Sequence, residues 1–239
     1  MLFMKKITLV MLLLFLTVAT VQAQLYTLPT CSSQGSNLYG PMYSTSFPNS
    51  TNRTAVVYPA SQLTSISGKV INGLYFNRFS GGVAMAGNPY FKIYVKEMAA
   101  IDFGAGDLEW ATAISGATLV YDSNPVSSVG IDAGWKLFPL STTFTYSGTQ
   151  NLAVFFEYNN TSTSSAFQWS FDSVEPCVNI TNSNTVKYTN NSTGVLPTVL
   201  TSSDFKRPFI AFDYIESCSS PVSVSTVVTT SNSVNVSVV

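Results

Sequence analysis

The chain of 239 residues contains no histidine, the side chain on which many hydrolytic sites depend. A Ser-His-Asp triad, a Cys-His pair and an HExxH zinc site each require an imidazole. Carboxylates remain available for acid–base chemistry, because a glycoside hydrolase needs only two of them. The twelve acidic residues show no spacing that selects a pair. We therefore expect no enzyme, and a carboxylate-dependent glycan-active enzyme is only the third alternative considered below.

Three of the acidic residues, Asp102, Asp107 and Glu109, share one glycine-containing segment. Carboxylate oxygens grouped in a loop are the ligands that Ca²⁺ prefers. Their spacing does not match the twelve-residue EF-hand loop. Two interpretations stay open, a structural calcium site or ordinary carboxylates on a surface turn, and no other cofactor is expected.

Aromatic residues make up 13% of the chain, and three of them are candidates for binding a sugar. Tyr90 and Tyr94 alternate with Lys92 and Lys96 along a predicted strand, so both rings share a face about 13–14 Å apart. Trp110 follows the acidic segment. These three rings form the candidate carbohydrate-binding site. The alternative is that the Tyr and Lys side chains only pack against one another on a solvated sheet face.

Three cysteines, Cys31, Cys177 and Cys218, are an odd number for a chain that we expect to be exported. A disulfide between Cys31 and Cys177 would tie the N-terminal segment to a late loop, and Cys218 would then lie outside the covalent framework of the first domain. The alternative is that all three are free thiols.

Alternation of apolar residues with a period of two predicts an all-β fold, an antiparallel, jelly-roll-like sandwich. The segment Gln150–Tyr158 is apolar on both faces because of Phe155, which predicts a central strand. We expect Trp169, Phe156 and Phe91 to be buried between the two sheets. The main predicted strands are Thr54–Tyr58, Lys69–Phe79, Tyr90–Glu97, Thr118–Tyr121, Trp135–Leu140, Gln150–Tyr158, Ala166–Phe171, Thr185–Tyr188 and Pro208–Tyr214.

The first 23 residues have the pattern of a secretory signal peptide. Lys5 and Lys6 precede the uncharged run Ile7–Val21, and small residues allow cleavage after Ala23. We expect a secreted or cell-surface protein with no membrane span after cleavage. Only 10% of the residues are charged and the formal net charge is −1, so there is no basic surface for nucleic acid.

Residues 217–239 differ in composition from residues 24–216, which are expected to form the sandwich domain. They are almost wholly Ser, Thr, Val and Asn, and they predict two strands, Val222–Val228 and Val234–Val239. The pattern resembles the first strands of a fibronectin type III domain. Two strands cannot bury a core, which predicts a truncated domain and further domains beyond Val239.

The runs TLVYDSN, GWKLFPLSTTFTYSGTQNLAVFFEYNN, FQWSF and KRPFIAFDY carry a wider resemblance. They are similar to a β-sandwich accessory module of secreted, type IX secretion-associated bacterial surface proteins. Predicted export, scarce charge, the lack of a catalytic constellation and the truncated neighbouring domain lead us to expect a non-catalytic accessory or adhesive module. A carbohydrate-binding module that uses Tyr90, Tyr94 and Trp110 is the alternative. The partner would be a polysaccharide or another cell-surface ligand. We expect the motif residues to be structural: Trp135, Leu140, Phe144, Tyr146, Gly148 and Leu152.

Overall fold

The structure is a computed structural model that describes residues 23–32, 34–162, 166–216, 224–230 and 233–238. Apart from Ala23, the predicted signal peptide lies outside these residues, and so does Cys218. Strands are the main regular elements of the described chain, and every strand pair is antiparallel. No helix in the described residues is both long and apolar enough to cross a membrane.

Seven strands form the first sheet, in the order β1-β15-β4-β10-β14, with β2 beside β10 and β8 beside β4. Val70–Arg78 is its central strand, which confirms that the segment Lys69–Phe79 forms a strand. The register shifts at Gly73, where a glycine in mid-strand predicts a bulge. The strands are β1 Ala23–Thr27, β2 Gln34–Ser36, β4 Val70–Arg78, β8 Gly134–Thr145, β10 Trp169–Asp172, β14 Arg207–Pro208 and β15 Ile210–Ile215.

Six strands form the second sheet, in the order β13-β11-β3-β9-β5-β7. The strand β9 lies between β3 and β5, and every residue from Leu152 to Tyr158 is buried. This confirms the prediction of a central strand with two apolar faces. The strands are β3 Ser50–Tyr58, β5 Tyr90–Met98, β7 Thr118–Ser123, β9 Asn151–Asn160, β11 Val186–Asn191 and β13 Ser202–Asp204.

Short elements complete the described chain. The helical elements are the 3₁₀ turns Ala60–Gln62 and Thr64–Ile66, α1 Trp110–Ala113 and α2 Val126–Val129. The remaining strands are β6 Leu108–Glu109, β12 Val199–Leu200, β16 Val224–Thr230 and β17 Ser233–Val238. The pair β6–β12 and the pair β16–β17 each form a separate two-stranded sheet. The latter agrees with the two strands predicted near the C-terminus, and their likeness to fibronectin type III stays a prediction.

The main core lies between the two large sheets and is rich in aromatic side chains. Phe91, Phe156 and Trp169 are all 0% exposed, as predicted. The rings of Phe76 and Phe156 come from opposite sheets and meet edge to face, 5.1 Å between centroids. Such contacts add to the burial of apolar surface that stabilises the sandwich. The predicted all-β antiparallel sandwich is confirmed.

The outer face of the second sheet is covered by its own chain. Ala55, Ala153 and Phe155 point away from the main core, and a second apolar cluster packs on them. That cluster includes Trp110 from α1 and Leu200 from β12. The outer face of β5, described above as a solvated sheet face, is therefore covered near its C-terminal half, because a two-residue strand pair and one helical turn lie over it. We call this segment, residues 99–117 with β12, the covering layer.

Candidate functional site

Trp110 is buried, with only 3% of its surface exposed, so the prediction that it offers a free ring to a sugar is wrong. Its ring meets Phe155 and Tyr94 edge to face, with centroids 6.2 Å away in each case. The Arg53 guanidinium lies 4.9 Å from the centre of the indole ring. The physical reason is the short helix α1, which places Trp110 on the apolar outer face of the second sheet.

Tyr90 and Tyr94 share a face as predicted, but both side chains already contact other residues of the chain. The Tyr90 hydroxyl bonds to the buried Glu157 carboxylate, which also accepts from Nη2 of Arg53 at 2.5 Å. The ammonium group of Lys92 lies 5.2 Å from the centre of the Tyr90 ring. Tyr94 packs against the covering layer. This geometry favours the alternative in which the Tyr and Lys side chains support the sheet.

The structure does not bring Asp102, Asp107 and Glu109 together as calcium ligands. Asp102 already has two partners within the chain: it accepts from the Gly104 backbone N–H at 2.8 Å and from Nδ2 of Asn182, which precedes β11, at 2.8 Å. Asp107 and Glu109 are exposed. Among the described residues, Cys31, Asp172 and Cys177 form a group of acid and thiol side chains whose ligand atoms all lie within 4.8 Å of one another. None of the three loop carboxylates belongs to that group. The structure therefore does not group these three carboxylates, and a calcium ion bound by them stays a prediction.

Cys31 and Cys177 form a disulfide with their Cα atoms 5.8 Å apart. Asp172 lies beside both sulfur atoms, and its carboxylate accepts from the Cys31 backbone N–H at 2.7 Å. Burial raises the pKa of Asp172 despite these hydrogen bonds. Because the two sulfur atoms are bonded to each other, this cluster is a structural cross-link.

A groove of about 310 Å³ lies next to the disulfide. Its polar lining is used internally: Gln62 accepts from Arg207 at 3.2 Å and donates to the Cys177 carbonyl at 2.9 Å. Arg207 also donates to the Val57 carbonyl. The side chains at the base of the groove therefore hold the surrounding loops together, and few of them are available to a ligand.

A different surface, on the outer side of the first sheet, carries aromatic rings that the main core does not bury. Tyr75 and Phe79 lie on or beside β4, Trp135 lies on β8, and Phe209 immediately precedes β15. Their neighbours in sequence, such as Phe76 and Ile210, point into the core. We call these four rings, with Asn77, Leu137 and Asp213, the aromatic face.

The register of the sheet brings the rings of the aromatic face into one strip. Trp135 pairs with Asn77 and Leu137 pairs with Tyr75. The rings of Trp135 and Phe209 come from strands on either side of β4, and they stack with centroids 6.5 Å apart at an interplanar angle of 30°. Tyr75, Trp135 and Phe209 are half-buried, and Phe79 is 41% exposed. Solvent therefore reaches part of each ring.

Polar groups without partners lie among these rings. Within the described part of the chain, the Asp213 carboxylate, the Tyr75 hydroxyl and the Trp135 indole N–H bond to no other group. Asn77 accepts at Oδ1 from the Ser170 hydroxyl at 2.7 Å, which leaves its amide nitrogen free. Burial raises the pKa of Asp213, and burial together with the charge of Asp213 raises the pKa of Tyr75. The aromatic face thus combines apolar rings with partly desolvated hydrogen-bonding groups.

Gly73 allows two of these side chains to approach each other across β4. A Cβ atom at Gly73 would lie 2.8 Å from Cδ1 of Leu137 and 2.9 Å from Cβ of Asp213. Both distances are far shorter than ordinary van der Waals contact. Because Gly73 has no side chain, Leu137 and Asp213 can both extend over the central strand β4. The two side chains therefore lie close together at the end of the aromatic face that contains Asp213.

Sequence reasoning missed this surface because it assigned Trp135 to a structural motif. Other motif residues have structural roles: Tyr146 and Leu152 are buried, while Leu140 and Phe144 pack against the core. Trp135 is three residues before the buried Phe138 on β8, so the two side chains lie on opposite faces of the strand. Trp135 therefore faces outward. The alternation contained that signal, but only the pairing of β8, β4 and β15 brings Trp135 to Phe209.

A comparison of the sequence with models of known protein families and with curated protein sequences found no match.

Proposed function

We propose that this chain is a non-catalytic accessory or adhesive module of a larger secreted or cell-surface protein, and that it binds its target through the aromatic face. The observation that carries the proposal is the difference between the two outer faces. The covering layer packs on the second sheet, whereas the first sheet leaves Phe79 and Leu137 exposed beside two stacked rings. Partly exposed aromatic side chains are enriched at recognition surfaces.

The charge of the aromatic face supports binding over catalysis. Among the outward-pointing side chains of β4, β8 and β15, Asp213 is the one that carries a charge. Glycoside hydrolysis by carboxylates needs a pair of them on either side of the scissile bond. The chain also lacks histidine, the commonest general base. A single carboxylate among aromatic rings is better suited to hold a ligand than to cleave it.

A carbohydrate-binding module is the second candidate, and a specific observation favours it. The stacked rings of Trp135 and Phe209 lie next to unpartnered polar groups of Asp213 and Tyr75. Ligand sites in general combine an apolar surface with a few polar groups that fix orientation. The site first expected at Tyr90, Tyr94 and Trp110 lacks this combination, because its rings are buried or bonded to their own chain.

The proposed function is tested by adhesion of the chain from Gln24 onward, coupled to fluorescent beads. The surfaces are purified plant cell walls, bacterial cell walls, mucin and fibronectin. The double variant Trp135→Ala/Phe209→Ala removes the stack, and Phe47→Ala is the matched control because Phe47 is 67% exposed outside the aromatic face. We expect saturable adhesion to at least one surface, lost in the double variant and kept in the control.

Two results would contradict the proposal. One is a folded wild-type chain that adheres to none of these surfaces. The other is a folded double variant that adheres as strongly as the wild type, which would mean that the contact lies elsewhere on the molecule.

A further inference from the structure

We infer that the aromatic face binds a neutral polysaccharide in an extended conformation, lying along β4; this rests on the proposed function and names the ligand of the same site. The inference depends on four properties of the face: the flatness of its rings, its length, its polar groups and its charge.

The two rings supply an apolar surface. Trp135 and Phe209 lie on either side of Asn77, with ring centroids 6.5 Å apart and an interplanar angle of 30°. The C–H face of a pyranose ring is apolar and nearly flat, so it can cover such a surface while its hydroxyl groups project sideways. Aromatic side chains bury a large area in one contact, which makes them effective anchors.

The face is elongated along the central strand. Tyr75, Asn77 and Phe79 are alternate residues of one extended segment, and four residues of extended chain span about 13 Å. The stacked pair lies between the two ends, beside Asn77. A strip of this shape fits several consecutive sugar units of an extended chain better than it fits a single compact ligand.

The polar groups match the chemistry of sugar hydroxyls. A carboxylate can accept hydrogen bonds from two hydroxyl groups, and hydrogen bonds to a charged acceptor are stronger than neutral ones. Asp213 lies at the Tyr75 end, because it pairs with Gly73, two residues before Tyr75 on β4. The Trp135 indole N–H and the Asn77 amide nitrogen add donors near the middle of the strip.

The charge of the strip selects a neutral polymer. Asp213 has no cationic partner within the described residues, and no lysine or arginine of β4, β8 or β15 points outward beside it. Uronic acids and sulfated sugars would therefore meet an unpaired like charge, which is unfavourable in a partly desolvated site. A neutral hexose or pentose polymer has no such penalty.

A protein partner fits the strip less well. Stable protein interfaces cover about 800 Å² on each partner and exclude charge from their centres. Here two half-buried polar side chains, Asp213 on β15 and Asn77 on β4, interrupt the apolar surface. Burying an unpaired carboxylate under a protein would be costly, whereas sugar hydroxyls can donate to it.

The inference is tested by affinity electrophoresis and calorimetry of the chain from Gln24 onward. The neutral polymers are mixed-linkage β-glucan, xyloglucan, arabinoxylan and mannan, and the acidic ones are polygalacturonate and alginate. We expect saturable binding to at least one neutral polymer and to neither acidic polymer. Trp135→Ala and Phe209→Ala should each weaken that binding about tenfold or more, as the loss of a central aromatic anchor does at other interfaces.

Asp213→Asn keeps the shape of the side chain and removes its charge, so it should weaken binding to the neutral polymer without loss of the fold. Phe47→Ala and Tyr90→Phe are the controls and should bind as the wild type does. Circular dichroism of each variant establishes that it is folded. If Trp135→Ala does not fold, Asp213→Asn and Phe209→Ala carry the test.

The outcomes separate the two proposals. Adhesion to mucin or fibronectin that depends on Trp135, without binding to any neutral polysaccharide, would overturn the inference and leave the proposed function standing. Binding confined to the acidic polymers would also overturn it. Neutral-polymer binding that survives Trp135→Ala and Phe209→Ala but is lost in Tyr90→Phe would place the site on the second sheet instead.

Discussion

Trp135 and Trp169 show how the position of one residue type decides its role. Trp169 lies on β10, is 0% exposed and contacts Phe167 with ring centroids 5.6 Å apart. Trp135 lies on β8, is half-buried and stacks on Phe209. Each alternates with other apolar residues in the sequence, so the pattern around them is similar. The side of the sheet that each faces makes one a core residue and the other a candidate ligand contact.

This difference predicts unequal effects on stability. Trp169→Ala should lower the free energy of unfolding by about 3–5 kcal/mol, because it empties a large buried site. Trp135→Ala should lower it by less than about 1 kcal/mol, as expected for a surface position with few buried contacts. Chemical denaturation of both variants in parallel gives the comparison. A loss below about 1 kcal/mol for Trp169→Ala would show that the residue is not part of the core.

Asp213 predicts a pH dependence that can be assigned to one side chain. Burial raises its pKa in the folded chain above the ordinary value of 3.8. The folded state therefore holds this proton more tightly than the unfolded state, and the wild type loses stability as the pH rises from below 3.8 through the folded pKa. Asn cannot ionise, so Asp213→Asn should match the wild type at the acid end and exceed it at neutral pH.

Urea denaturation of the wild type and Asp213→Asn at several pH values measures this difference. A variant that is less stable than the wild type at neutral pH would mean that the carboxylate has a stabilising partner in the fold.

At the scale of the elements, the disulfide joins the connection between β1 and β2 to the loop that follows β10. Asp172 supports the same junction, because it accepts from the backbone N–H groups of Cys31 and Ser32. The cross-link spans 146 residues of sequence. Loop-closure entropy assigns such a cross-link about 5 kcal/mol, an upper value because it treats the unfolded chain as featureless.

The prediction is that Cys31→Ser/Cys177→Ser, made in a Cys218→Ser background, loses up to about 5 kcal/mol of unfolding free energy. The Cys218→Ser single variant is the reference, since it keeps the disulfide and removes the third thiol. Denaturant midpoints of the two proteins under oxidising conditions give the result. Equal midpoints would mean that the hydrogen bonds of Asp172 suffice to hold this junction.

The covering layer illustrates why some elements escape prediction from sequence. Its strands β6 and β12 have two residues each, too short to show any period, and they pair across about 90 residues of sequence. In the sequence, segment 99–113 shows no strand period, and its two glycines and three acidic residues are typical of an irregular loop. Only the apolar outer face of β9, visible in the alternation of Ala153 and Phe155, indicated that something must cover this sheet. That signal identifies the face to be covered without identifying the segment that covers it.

At the scale of the whole molecule, the fold class and the core were predictable while the candidate site was not. The period of two in long strands such as β5 and β9 is a local property, and it identified Phe91 and Phe156 as core residues. The aromatic face depends on which strands are neighbours. Phe209 and Trp135 are far apart in sequence and meet because both β15 and β8 pair with β4. Register between distant strands has no local signature, so the site emerges only from the assembled sheet.

The aromatic face lies on the sheet whose other side forms the main core, which predicts a link between ligand binding and global stability. A ligand that binds only the folded state stabilises it by about 2.7 kcal/mol when its free concentration is 100 times its dissociation constant. We expect soluble oligosaccharides of the neutral polymer that binds to shift the unfolding transition of the wild type accordingly. Trp135→Ala should show no shift at the same concentration, and Phe47→Ala should shift as the wild type does. Differential scanning calorimetry measures all three. An unchanged transition in the wild type, at a concentration that saturates binding by titration, would mean that the unfolded chain binds the sugar equally well and that the assembled face is not required.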